Sequence, residues 1–137
     1  RSNSRFNCEE PEPREGLRMG TIPSSVNLPY TDLLENGKFK TKAGIENAFS
    51  KISEKENDII FSCGSGITAC VLALGAEISG YKNISVYDGS WTEWGSIPEL
   101  PIETASAKPA HAAKIDLIFM MPNDSPQQQS QTTVRPV

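Results

Sequence analysis

Histidine is nearly absent from this chain, with 1 among 137 residues, and cysteine occurs 3 times. The single imidazole, His111, leaves too few ligands for a histidine-built metal site, and no metal is expected. Three cysteines cannot all pair within the chain, so a small disulfide scaffold is disfavoured and a reducing compartment is expected. No apolar run approaches the roughly 20 residues that span a bilayer, so no membrane partner is expected. Lys+Arg 13 against Asp+Glu 17 gives a net charge of −4 with no dense basic run, which argues against nucleic acid. Proline is missing from the long stretch between Pro29 and Pro98, where most regular structure should therefore lie. What is present suits one modest core: 37% hydrophobic residues, in a length typical of a single domain of about 100–150 residues.

A compositional boundary falls near residue 104. All 4 glutamines (Gln127, Gln128, Gln129, Gln131) lie beyond it, and no glutamate follows Glu103. Residues 1–103 are read as the folded domain. Residues 104–137, rich in Ser, Thr, Pro and Gln, bury too little surface to offset ordering entropy and are expected to be mostly disordered. The apolar run Ile115 to Met121 is the exception, expected to dock on the domain as a strand or helical turn. The chain opens on Arg1 rather than Met, which reads as a processed product or a piece of something longer. A leader peptide would have gone with the missing part.

Within the domain, Ile22 to Leu28 reads as a short strand. Ile45, Ala48, Phe49 and Ile52 recur at helical spacing after Thr41, a good N-cap. Asp58 to Ser62 reads as a buried strand, and Ile67 to Ser79 as a buried helix, apolar on nearly every face and ended by Gly80. Ile84 to Tyr87 reads as another buried strand, followed by a short helix carrying Trp91 and Trp94. Strand, loop, helix, strand in this order predicts an α/β fold, a parallel sheet flanked by helices.

Ligands of parallel sheets bind beyond the carboxyl ends of the strands, and Cys63 sits where one strand yields to a helix. Gly64 and Gly66 flank Ser65, so the backbone can curl with its N–H groups inward. Such a concave amide set at a helix N-terminus favours negative charge and lowers a thiol pKa from about 8.5. Several thiolate chemistries fail on the neighbours. A phosphatase needs an arginine six residues after the cysteine, and Ala69 stands there. A cysteine protease needs a nearby imidazole, and a dithiol oxidoreductase needs C-x-x-C, whereas the next cysteine is Cys70, read as packing in the helix. A P-loop needs Lys-Ser/Thr after its glycines. What remains is a thiolate that accepts a soft atom and keeps it.

The loop Cys63-Gly64-Ser65-Gly66-Ile67-Thr68-Ala69 resembles the active loop of the rhodanese superfamily in its mercaptopyruvate sulfurtransferase version. Residues 11–34 and the segment YDGSWTEWG at 87–95 extend the likeness, which covers nearly everything from Ser4 to Glu103. The resemblance implies a sulfur relay without a cofactor. Cys63 would take sulfur from 3-mercaptopyruvate, or from thiosulfate, as a persulfide and pass it to a thiol such as thioredoxin or to cyanide. It implies that the backbone N–H groups of Gly64, Ser65, Gly66, Ile67 and Thr68 cradle the persulfide, and that Ser65 hands protons on. Arg5 and Arg14 match the positions that hold the donor's carboxylate and keto group. Neutral Gly64 and Ser65 place the positive field on those arginines, which favours a monoanionic keto acid over dianionic thiosulfate.

Relatives of this kind carry two such domains, and this chain corresponds to the second, catalytic one. The resemblance therefore implies a missing N-terminal partner domain and a truncated first strand that normally lies inside the sheet. Marginal stability and slow turnover of the isolated chain are expected. Cys8 stands where relatives have glycine, and Thr21 where they have a histidine taken as structural. A cytosolic or mitochondrial location is implied.

Overall fold

The computed structural model describes residues 1–104 and, as backbone, the strand at 134–136. Its helices are α1 (Asn3–Phe6), α2 (Lys42–Phe49), α3 (Ile67–Ser79) and α4 (Ser90–Trp94). Its strands are β1 (Leu34–Glu35), β2 (Lys38–Phe39), β3 (Ile59–Phe61), β4 (Ile84–Tyr87) and β5 (Val134–Pro136). A 3-10 turn, Tyr30–Leu33, precedes β1.

The main sheet runs β3-β4-β5, with β3 and β4 parallel, as the strand–helix–strand order predicts. Side chains alternate across it. Ile59, Phe61, Ile84 and Val86 face a core shared with Leu33, Ile45 and Phe49, while Ile60 and Tyr87 face a second cluster around Trp91 and Trp94. Helix α2 starts where Thr41 accepts the Gly44 N–H at 3.2 Å. Helix α3 ends at Gly80, whose φ of +92° is the left-handed conformation expected of a terminating glycine.

Three expectations need correction. Helix α3 is not buried all round: Ala69, Ala73, Gly75 and Ala76 face the core, but Ile67, Leu74 and Ile78 are exposed. Small residues are needed on the buried side because a Cβ at Gly75 would come within 2.7 Å of Leu33 Cδ1. Cys70 lies on the exposed side, where its Sγ donates to Gly66 O at 3.4 Å, so it is not a packing residue. Residues 22–28 form no strand. They begin in a turn, with Ser25 N–H donating to Ile22 O, and only Thr21 makes a bridge, to Glu103. A strand needs a partner's ladder, and among the described residues none pairs with the outer flank of β3. An apolar groove of about 340 Å³, lined by Ile22, Val26, Leu28, Ile60 and Phe61, separates the two segments.

At the end of the chain the structure adds one strand. Val134–Pro136 pairs antiparallel with β4, so these residues belong to the sheet and make it mixed. Proline at such an edge costs little, since its missing N–H removes no interior ladder bond. The expected docking run Ile115 to Met121 and His111 lie outside the described residues. Among the described residues, no helix is long and apolar enough to cross a membrane.

Candidate active site

Cys63 follows β3 directly and is held from both sides by the turn after the neighbouring strand. Its N–H donates to Ser90 Oγ at 3.0 Å, and Ser90 Oγ donates onward to Tyr87 O at 2.8 Å. Its carbonyl accepts the Trp91 N–H at 3.0 Å. Ser90 is buried and left-handed, with φ +48°, a conformation that this double bond stabilises. One residue on, Gly64 O accepts both the Thr92 N–H at 2.9 Å and the Thr92 hydroxyl at 2.6 Å. The start of α4 is thus the bracket on which the cysteine loop is mounted.

Gly66 turns the chain into α3. Its φ is +85°, and a Cβ there would lie 2.7 Å from Asp88 O. Both facts select glycine. The turn sets the first amides of α3 facing back toward the sulfur. Burial alone would push the Cys63 thiol up, but the Thr68 hydroxyl and the backbone N–H groups of Ser65, Ala69 and Thr68 outweigh it, and the net shift is downward. The donors on the sulfur therefore include Ala69, one residue past the expected set, and the side chain of Thr68. Gly64 and Gly66 supply shape: one offers its carbonyl to Thr92, and the other makes the turn.

A cavity of about 600 Å³ opens above the thiol. Cys63, Gly64, Ser65, Ile67 and Thr68 line it from the loop, and Arg5 and Arg14 from the N-terminal segment. Of the expected site residues, Gly66 alone lies behind this wall. Arg14 is exposed, and its Nη1 donates to Thr92 Oγ1 at 2.9 Å. Arg5 lies in the last turn of helix α1, whose start is capped by Ser2.

Three features were not read from the sequence. Arg1 packs behind the anchors, donating to Gly20 O at 2.7 Å, to Arg5 O at 3.1 Å and to the Glu12 carboxylate, with its guanidinium 4.7 Å from the Trp91 ring centre. It ties α1, the Pro-Glu-Pro-Arg segment and the bracket together. Arg18 donates to five carbonyls, those of Trp94, Gly95, Ile97, Pro98 and Leu100, and fastens the chain after α4. Thr92 joins Arg14 to Gly64. The Arg18 and Thr92 contacts link residues far apart in the chain, and no local pattern marks them. Two smaller expectations gain a physical reason. Cys8 has φ +61°, where glycine is the natural occupant, and Thr21 is buried and paired through its backbone with Glu103, a structural position.

Residues 2–97 match the model of the rhodanese-like domain family. A 3-mercaptopyruvate sulfurtransferase of Escherichia coli is 42% identical over 104 residues, which is 75% of this chain and 37% of that protein. In structure the chain is similar to the Tum1 protein of Saccharomyces cerevisiae, with a TM-score of 0.67, 34% identity, and coverage of 77% of this chain and 38% of that one. It is also similar to EanB in a cysteine-persulfide state with ergothioneine, with a TM-score of 0.69, 25% identity, and coverage of 76% and 27%. The chain spans about a third of the length of the curated relatives it matches.

Proposed function

The chain belongs to the rhodanese-like family, and from that premise we propose that it is the sulfur-carrying domain of a 3-mercaptopyruvate sulfurtransferase. The observation that carries the reading is the cradle of Ser65, Thr68 and Ala69 donors that lowers the Cys63 pKa at the floor of an arginine-lined cavity. A thiolate in this setting is a soft nucleophile, and its donors hold a charged sulfur equally well after one more sulfur has been added.

The donor's carboxylate sits between Arg5 and Arg14, whose planar forks suit it. Cys63 thiolate attacks the donor sulfur and forms the S–S bond. The carbon–sulfur bond breaks, its electron pair passes to the carbon as the enolate of pyruvate, and that carbon takes up a proton. That transfer is assigned to the Ser65 hydroxyl, a reading supported by Ser65 lining the cavity. Cys63 is left as a persulfide, stabilised by the same amides. A thiol acceptor, such as that of thioredoxin, then attacks the outer sulfur and returns Cys63 to the thiolate. Neither step requires a cofactor.

The arginine-only positive field favours a monoanionic keto acid. Comparing kcat/KM for 3-mercaptopyruvate and thiosulfate tests the reading, with the keto acid expected to win. A preference for thiosulfate would refute the donor assignment.

A further inference from the structure

The Thr92 side chain touches both the anchor and the reactive loop. Its Oγ1 accepts from Arg14 Nη1 at 2.9 Å and donates to Gly64 O at 2.6 Å, while its own N–H holds the same carbonyl at 2.9 Å. Resting on the donor assignment above, we propose that Thr92 is a positioning residue, which sets Arg14 at a fixed reach from Cys63 and so selects donors bearing a carboxylate beside the transferable sulfur.

The need for such a tie follows from where Arg14 sits. It is exposed, on a segment with Pro11 and Pro13 before it and the left-handed Gly16 after it, outside any helix or strand. An untethered arginine there would sample many rotamers, and binding a carboxylate would have to order it. Thr92 orders it beforehand through one Nη atom, leaving the other donors of the guanidinium for the ligand. Threonine suits the role because β-branching fixes χ1, and the helical backbone of α4 fixes the rest. The hydroxyl's single proton is committed to Gly64 O, and one of its lone pairs to Arg14. It acts through its neighbours and does not itself take the donor's proton.

The experiment compares wild type with Thr92→Val, which keeps the shape and loses the hydroxyl, and Thr92→Ser, which keeps the hydroxyl. Kinetics with 3-mercaptopyruvate are read beside alkylation of Cys63 by iodoacetate, which carries a carboxylate, and by neutral iodoacetamide. For Thr92→Val, KM should rise about five- to tenfold, the scale of one ordinary net hydrogen bond at an exposed site, with kcat within about twofold. The iodoacetate-to-iodoacetamide rate ratio should fall by a similar factor, and Thr92→Ser should restore both. In an Arg14→Gln background, Thr92→Val should change neither. Unchanged KM and an unchanged ratio overturn the proposal. So does a parallel fall of kcat and both alkylation rates, which would mean that the hydroxyl serves only the loop. If wild type releases no pyruvate, the donor assignment fails, and the alkylation ratio alone decides the tie.

Discussion

Gly66→Ala attacks the cradle at its hinge. Two costs add at this position. A non-glycine residue at φ +85° loses roughly 1–2 kcal/mol, and the new methyl would stand 2.7 Å from Asp88 O, a contact that must be relieved at about 1–3 kcal/mol. The carbonyl cannot simply swing aside, because Tyr87, Ser90 and Cys63 are locked around it by the two Ser90 hydrogen bonds. A total of about 2–5 kcal/mol is a large part of the stability of an ordinary domain. Gly64→Ala is the matched control, since its Cβ would meet nothing within 4 Å. Urea unfolding should show a midpoint about 1–2 M lower for Gly66→Ala, with little change for Gly64→Ala. Relief of the clash moves the first turn of α3, so the Thr68 and Ala69 donors leave the sulfur. The pH midpoint for iodoacetamide alkylation of Cys63 should then climb toward the ordinary thiol value of about 8.5. A Gly66→Ala protein with wild-type stability and a wild-type alkylation midpoint would refute the reasoning.

Thr68→Val removes the side-chain donor but keeps the amides, so the Cys63 alkylation midpoint should rise by a smaller step than in Gly66→Ala. Because the folded state releases the Cys63 proton more readily than the unfolded chain, ionisation adds stability above the ordinary thiol range. That contribution is lost as pH falls through the lowered folded value, so Cys63→Ser and wild type should converge in stability on the acid side. Arg18→Lys cannot reach five carbonyls with one ammonium, and about 2 kcal/mol should be lost. Calorimetry should show Tm lower by roughly 10 °C with the Cys63 alkylation rate unchanged once folded. An unchanged Tm would mean that solvent satisfies those carbonyls equally well.

The reactive half of the site is readable because it is local. A buried β-rich run, Cys63, two glycines and an apolar helix ending at Gly80 dictate strand, turn and helix within about twenty consecutive residues, and α3 runs over Ile67–Ser79 as its pattern predicts. The bracket is not local: Thr92 lies 28 residues from Gly64 and 78 from Arg14, and the parallel pairing of β3 with β4 sets α4 beside the cysteine loop. Arg18, whose partners lie 76 to 82 residues away, escapes notice for the same reason. The segment at 22–28 misleads because strand-like composition says nothing about whether a partner is available. The hairpin β1–β2 is a different case, since Asn36 and Gly37, with φ of +52° and +76°, carry a local turn signal that went unread.

The most direct test of the account is the intact mass of the chain after brief exposure to 3-mercaptopyruvate, followed by peptide mapping. The account predicts a product about 32 Da heavier, with the added sulfur on Cys63, reversed by a thiol and absent in Cys63→Ser. A chain that keeps its mass, or carries the sulfur on Cys8 or Cys70, would contradict it.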